Sequence, residues 1–143
     1  MRADRVDEFR ARFHAHAASR LAPEDFLPRL EIDALIDFAE IHDRSVAEIF
    51  RLAPFGCGNP APVFAALDAE VLAPPVIWKE KHLRLAIRQN GRNMSLKAWN
   101  FAARAEELAK GMRIDAAFSF EEDAYSAAQN GQPWGAVLRN FRR

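Results

Sequence analysis

The fold is decided by the run WKEKHLRLAIRQNGRNMSLKAWNF, residues 78–101. Apolar and polar residues alternate on both sides of Asn90-Gly91, the dipeptide that best accepts the positive φ angles of a type I′ turn. The run therefore predicts a β-hairpin whose register is counted outward from that turn. Counting pairs Ile87 with Met94, Leu85 with Leu96 and Leu83 with Ala98, which makes one face entirely apolar.

The opposite face of the predicted hairpin is basic and aromatic. Arg84 lies opposite Lys97, and His82 lies opposite Trp99. Like charges that face each other across a hairpin cost stability, and residues 76–98 contain six Lys and Arg but one Glu. Cations beside aromatic rings are typical of single-stranded nucleic-acid binding and are favoured here over a merely solvated strand face. The predicted nucleic-acid-binding residues are Lys79, Lys81, His82, Arg84, Arg88, Arg92, Lys97 and Trp99.

Composition and charge set the limits of the interpretation. The 143 residues are half apolar and carry 20 Lys and Arg against 20 Asp and Glu, which excludes a disordered chain. The net charge is five negative over residues 1–75 and five positive over residues 76–143, so a polyanion would meet the second part. Cys57 alone cannot form an internal disulfide, and the N-terminus has no apolar signal core, so we expect a cytoplasmic protein without a membrane partner.

Short elements flank the hairpin. Helices are predicted from a cap at Asp4 to Leu21, from a cap at Asp43 or Ser45 to a buried Leu52, and over residues 102–110. Further strands are predicted from Leu30 and Ile32, over residues 63–71, around Ile114, Ala116 and Phe118, and at Val137-Leu138. This count predicts a mainly β chain with helices (α+β). Its architecture would be an OB-like small barrel of about five strands preceded by an N-terminal helix, although a sandwich would have a similar pattern.

The sequence offers no constellation for catalysis or metal binding. His14 and His16 lie two residues apart on the first helix and point to different faces, and His42 and His82 stand alone. The run Glu121-Glu122-Asp123 is interpreted as solvated surface. We therefore predict neither catalytic residues nor metal ligands in this chain.

A thirteen-residue stretch carries a family resemblance. The segment LAPFGCGNPAPVF, residues 52–64, resembles the L-x-P-F-G-x-G-N-P-x-P-x-F signature of the RecJ family, bacterial exonucleases specific for single-stranded DNA. Leu30-Glu31-Ile32-Asp33, Lys81-His82-Leu83-Arg84-Leu85 and Ala98-Trp99-Asn100-Phe101 also resemble family segments. The resemblance implies that residues 29–143 form the C-terminal oligonucleotide-binding (OB) domain, with a linker at 23–28 and, at 1–22, a helix leaving a preceding domain.

The family's catalytic motifs do not occur in this sequence. Neither the Asp-His-His motif nor the Gly-Gly-His motif is present, so the resemblance implies a part of a 5′–3′ exonuclease, a hydrolase of DNA repair and recombination. No cofactor is expected in this chain, and the Mn or Mg ions of the catalytic domain would lie outside it. The implied partners are single-stranded DNA, the catalytic domains of the same longer protein, and replication or repair proteins.

Two points remain open from the sequence. The signature residues Pro54, Phe55, Gly56, Gly58, Asn59 and Pro60 are interpreted as a rigid corner, with special backbone angles at both glycines and hydrogen bonds from Asn59, rather than as a DNA contact.

The function is predicted to be single-stranded DNA binding. The alternative is a protein-interaction or bracing module that does not hold DNA and whose basic face recognises an acidic tail.

Overall fold

The computed structural model describes residues 3–124, 127, 128 and 131–143. It divides the chain into two compact units, residues 1–31 and residues 32–143. No helix in the described ranges has both the length and the apolar character needed to cross a membrane.

In the first unit, residues 3–31 contain one α-helix. A 3-10 turn, Ala3–Arg5, leads into α1, Val6–Ala18, and a second 3-10 turn covers Pro23–Phe26 within the predicted linker. The helix is shorter than predicted, and its N-cap residue is Arg5 rather than Asp4. None of its residues is buried, so its apolar stripe, which includes the stacked rings of Phe9 and Phe13, lies exposed.

The elements given in full among the described residues of the second unit are seven strands and three helical segments. The strands are β1 Ala34–Leu35, β2 Phe64–Val71, β3 Val76–Trp78, β4 His82–Gln89, β5 Arg92–Ala98, β6 Arg113–Glu122 and β7 Trp134–Arg142. The helical segments are a 3-10 turn Phe38–Glu40, the helix α2 Asp43–Phe50 and a 3-10 helix Ala102–Glu107.

Five of these strands close into a ring. β2 pairs with β6, β6 with β7 and β4 with β5 in antiparallel fashion, while β5 and β7 run parallel. Pairing of Glu70 with Arg88 and of Val71 with Ile87 joins β2 to β4 and completes the ring. β1 and β3 extend it as short edge strands beside β2 and β4. The predicted α+β barrel of about five strands is confirmed.

The hairpin register is the one predicted from the turn. Ile87 pairs with Met94, Leu85 with Leu96 and Leu83 with Ala98. Asn90 and Gly91 have φ angles of 49° and 78°, as a type I′ turn requires. The inward side chains of both strands join the core, together with buried residues of the other ring strands: Ala66, Val71, Ile114, Phe118 and Leu138.

The helix α2 packs against this core through Val46, which is fully buried. Its predicted caps were wrong, because His42 is the N-cap residue. His42 has an extended backbone, and its Nδ1 accepts a hydrogen bond from the Ser45 N–H at 3.1 Å, as a carboxylate or hydroxyl oxygen would in a commoner cap. Leu52, predicted to be buried, lies beyond the helix and is exposed.

Two other element predictions were partly wrong. The strand predicted from Leu30 and Ile32 is limited to β1, which begins at Ala34. Just before β1, Asp33 bonds to Val63 in a different way, because its N–H donates to the Val63 carbonyl while its side-chain Oδ2 accepts from the Val63 N–H. Residues 102–110 form a 3-10 helix that ends at Glu107, although Leu108 is buried as predicted.

Candidate nucleic-acid interface

The outer faces of β4 and β5 form one continuous surface. Along both strands, residues that face the core alternate with residues that face outward. Arg84 pairs across the strands with Lys97, and Arg88 pairs with Asn93, as the predicted register requires. β3 extends this surface on the other side of β4. We call it the outer face, and its members are Val76, Trp78, His82, Arg84, Ala86, Arg88, Asn93, Ser95, Lys97 and Trp99.

Three aromatic rings meet at one end of the outer face, and we call them the aromatic cluster: Trp78, His82 and Trp99. Their ring centroids lie 4.9 Å, 5.1 Å and 4.9 Å apart. The Asn100 N–H donates to His82 Nδ1 at 3.0 Å, which places the proton of a neutral imidazole on Nε2. Trp99 is 42% exposed, so part of the cluster is accessible to solvent.

Trp78 was not among the predicted site residues. The indole Nε1 is buried and has no hydrogen-bond partner in the described part of the chain, and Lys79 Nζ lies 5.7 Å from the ring centroid. A short turn over Lys79 and Glu80, both with positive φ, brings Trp78 opposite His82 on the neighbouring strand. Counting outward from the Lys79-Glu80 turn pairs Trp78 with His82 and so indicates its place on the outer face. The register counted from the Asn90-Gly91 turn does not extend to β3.

Arg84 and Arg88 are exposed; Arg84 is the next outward residue after His82, and Arg88 lies further along β4, near the Asn90-Gly91 turn. Within the described residues, neither forms an ion pair with a carboxylate, and Arg88 Nε donates to Asn93 Oδ1 at 2.9 Å. Some arginines elsewhere in the unit are paired, as Arg113 is with Asp68 at 3.2 Å and Arg142 with Asp115 at 2.8 Å. Arg51, Arg92 and Arg139 have no ion pair with a carboxylate within the described residues either. Arg84 therefore retains charge that a polyanion could neutralise, whereas Arg88 has the acid Glu70 as its cross-strand neighbour on β2.

Lys97 differs from these arginines because two carboxylates surround its ammonium group. Nζ lies 2.9 Å from Glu121 Oε1 and 2.6 Å from Asp123 Oδ2. Burial lowers the pKa of Lys97, but the hydrogen bonds to Asp123 and Glu121 outweigh that effect and the pKa is raised. The interpretation of residues 121–123 as solvated surface was wrong for Asp123, which is buried.

The remaining predicted cations lie at the margins. Lys79 and Lys81 belong to the turn between β3 and β4. Arg92 pairs with Gln89 beside the Asn90-Gly91 turn. This pair lies on the same face of the hairpin as the core-facing pairs, so Arg92 is not on the outer face. A cation that the sequence argument missed is Arg139 on β7, whose Nε donates to Ser119 Oγ at 2.8 Å. It lies two residues beyond Val137, the cross-strand neighbour of Lys97.

The signature loop is held by its own hydrogen bonds. Asn59 Nδ2 donates to the carbonyls of Leu52 at 3.0 Å and Pro54 at 2.9 Å, and the backbones of Gly56 and Asn59 bond to each other. Gly58 has φ of 87°, as expected for a position that favours glycine, whereas Gly56 does not adopt positive φ. The expected special angle at Gly56 was therefore wrong, and the loop geometry supports the rigid-corner interpretation.

A metal site would need converging ligands. Among the described residues, no three His, Cys, Asp or Glu side chains are grouped so that they could hold a metal ion. The metal ions of the family's catalytic domain therefore do not fit the residues that the structure describes here.

The ring order and the outer face together define the class of this protein. A closed five-strand barrel with this strand order has the architecture of the oligonucleotide-binding (OB) fold. Residues 32–133 match the model of the family described as the RecJ OB domain, and the chain belongs to that family.

A curated relative agrees with this assignment. The chain is 30% identical over 115 residues to the single-stranded-DNA-specific exonuclease RecJ of Bacillus subtilis strain 168. That alignment covers 80% of this chain but 15% of the relative, so the chain spans a small part of the length of the curated relative it matches.

Two solved structures share a more distant likeness. An aspartyl-tRNA synthetase from Entamoeba histolytica matches with a TM-score of 0.45 and 13% identity over 85% of this chain and 28% of its own. A putative aspartyl-tRNA synthetase from Leishmania major Friedlin matches with a TM-score of 0.42 and 8% identity over 92% of this chain and 25% of its own. Neither likeness bears on function.

Proposed function

We propose that residues 32–143 bind single-stranded DNA along the outer face, as the C-terminal OB domain of a RecJ-type exonuclease that acts in DNA repair and recombination. One observation carries this proposal: Arg84 and Arg88 have no ion pair with a carboxylate in the described chain, and Arg84 is the next outward residue after His82 of the aromatic cluster. Phosphates would neutralise the arginines, and bases would stack on the exposed ring of Trp99.

The preference for single strands follows from the aromatic cluster. A stacking surface can accept a base only when that base is not already paired inside a duplex. Trp99 is exposed and is held by contacts with Trp78 and His82, so it offers this surface without rearrangement. Duplex DNA would satisfy the arginines but would leave the ring unused, and it should therefore bind less tightly.

The nuclease chemistry belongs to other parts of such a protein. In this proposal the catalytic domains of the same longer protein supply the Mn or Mg ions and the hydrolysis, in the cytoplasm, while this domain holds the DNA strand. Replication or repair proteins would be further partners.

A second candidate is a bracing module for the catalytic domains, and an apolar groove favours it. Ile32, Leu35 and Leu67 are exposed and line a groove of about 240 Å³ together with Ala117 and Phe141. This groove involves β1, β2, β6 and β7 and none of the outer-face residues. Bracing through the groove would leave the outer face free, so the two candidates can be separated by variants of each surface.

The test is binding of labelled single-stranded and duplex oligonucleotides by fluorescence anisotropy across a salt series. We expect tighter binding to the single strand than to the duplex. The salt slope, which is the slope of log affinity against log salt concentration, should be about −0.7 for each phosphate contacted. Arg84→Gln should remove about one contact and reduce the slope by about 0.7, since phosphate contacts carry no sequence information.

A matched variant controls for the loss of one positive charge. Arg142→Gln removes an exposed arginine from the groove side of the barrel, where it is paired with Asp115. It should leave the slope unchanged. Absence of single-strand binding at low salt, or equal slopes for the parent and Arg84→Gln, would contradict the assignment of the outer face and favour the bracing role.

A further inference from the structure

We propose that Lys97 is a positioning residue: it holds the connection between β6 and β7 beside the outer face and makes no phosphate contact itself. The inference rests on the proposed function, because it says what one cation of the proposed interface does. It also changes the role predicted from the sequence, in which Lys97 was one of the cations that neutralise DNA.

The geometry shows a bridge across an intervening strand. Lys97 lies on β5, whereas Glu121 lies on β6, and β7 runs between these strands. The bridge crosses β7 at Gly135, the cross-strand partner of Glu121. A Cβ atom at Gly135 would lie 3.5 Å from Lys97 Nζ and 3.2 Å from Asp123 Oδ2, so the glycine leaves the space through which the ion pairs form.

Backbone hydrogen bonds of Asp123, whose side chain Lys97 binds, join the two ends of the connection. The Asp123 N–H donates to the Pro133 carbonyl at 2.9 Å, which joins the end of β6 to the residue before β7. The Asp123 carbonyl accepts from the Ala127 N–H, and the Ala127 carbonyl accepts from the Gly131 N–H. In OB domains the loop between the last two ring strands flanks the binding face. Lys97 therefore holds Asp123, the residue at which that loop begins.

The charge balance explains why Lys97 is a poor phosphate ligand. One ammonium group lies between two carboxylates, so the cluster carries a net charge of one negative at neutral pH. The Lys97 side chain is only 25% exposed, and two of its three hydrogen-bond donors are directed at Glu121 and Asp123. A phosphate would have to displace a carboxylate to reach it, whereas Arg84 needs no such exchange.

The experiment compares the parent with Lys97→Met and with a triple variant that also carries Glu121→Gln and Asp123→Asn. In Lys97→Met the two carboxylates repel each other, so amide hydrogen exchange at Ala127 and Gly131 should become faster. Single-strand affinity should fall between about two- and thirtyfold, with an unchanged salt slope. The triple variant removes the repulsion and should restore both the slow exchange and most of the affinity.

Gly135→Ala provides a variant that changes no charge. A strand with alanine is ordinarily no less stable than one with glycine. A destabilising effect of Gly135→Ala would therefore come from crowding of the ion pairs by the added methyl group. We expect faster exchange at Ala127 and weaker binding, again with the parent salt slope. This variant keeps the test decisive if Lys97→Met does not fold.

Two other outcomes would be informative in different ways. A slope reduced by about 0.7 in Lys97→Met, with exchange at Ala127 unchanged, would overturn the positioning role and make Lys97 a phosphate contact. If the parent binds no single-stranded DNA at all, the proposed function fails, but the exchange measurements still show whether Lys97 positions the connection.

Discussion

Arg84 and Lys97 face each other across β4 and β5, yet only Lys97 has carboxylate partners in the described part of the chain. From the sequence, the pair has no acid opposite it, which predicts an anion site. In the structure the acids are Glu121 of β6 and Asp123 just after it, 24 and 26 residues further along the chain. Of the two cations, Arg84 is therefore the one whose charge is available to a nucleic acid.

The stacking role of the aromatic cluster is tested by Trp99→Ala. Removing the exposed ring should weaken single-strand binding by about 1–3 kcal/mol, roughly five- to 150-fold, because one base loses its stacking surface. Trp99→Phe keeps an aromatic plane and should retain most of the affinity. Anisotropy titrations at one salt concentration measure both variants, and equal losses for alanine and phenylalanine would argue against stacking.

Stability should depend on the ionisation of Asp115. The backbone N–H of Asp68, followed by the Arg142 guanidinium, lowers the pKa of Asp115. A lowered pKa in the folded state means that the stabilisation is present above the ordinary aspartate pKa and is lost as pH falls through the lowered value. Asp115→Asn should therefore have a lower free energy of unfolding than the parent, and this difference should be largest near neutral pH and smaller at acidic pH.

Urea unfolding of the parent and Asp115→Asn over a pH series measures this difference. Glu31→Gln serves as the control, since Glu31 is exposed and has no ion pair within the described residues. A deficit of Asp115→Asn that stayed constant down to strongly acidic pH would contradict the prediction.

The signature loop should depend on the amide of Asn59. Asn59→Asp replaces a donor with a carboxylate that faces the carbonyls of Leu52 and Pro54, so both hydrogen bonds are lost and repulsion takes their place. We expect a loss of about 1–3 kcal/mol in the free energy of unfolding. Cys57→Ser, at an exposed position of the same loop, should change stability by less than about 0.5 kcal/mol. Similar midpoints for Asn59→Asp and the parent would refute the role of Asn59.

The barrel core should be sensitive to Leu85 and insensitive to Leu35. Leu85 is fully buried on β4, and Leu85→Ala should destabilise the unit by about 2–5 kcal/mol through lost contacts and a residual cavity. Leu35 is 65% exposed, so Leu35→Ala should stay within about 0.5 kcal/mol. Denaturant midpoints measure both, and a comparable loss at Leu35 would show that the apolar groove is covered in solution.

Short stretches of sequence were sufficient to predict the hairpin and the family. The Asn90-Gly91 turn and the alternation around it determine the pairing of Leu85 with Leu96, because a hairpin register follows from its turn and its period of two. The thirteen residues of the signature loop pointed to the family to which the chain belongs. Both signals lie within short stretches of sequence, and neither needs knowledge of distant contacts.

The chemistry of the outer face depended on contacts between distant segments. The sequence placed Arg84 and Lys97 as a pair, but only the ring of strands brings Glu121 and Asp123 to Lys97 and leaves Arg84 free of them. Arg139 comes near the outer face because β7 pairs with β5. Local periodicity records which way a side chain points, whereas the order in which strands pair is set by the burial of the whole core. The sequence alone therefore determined the hairpin and its register, and the tertiary structure decided which of its charges are balanced.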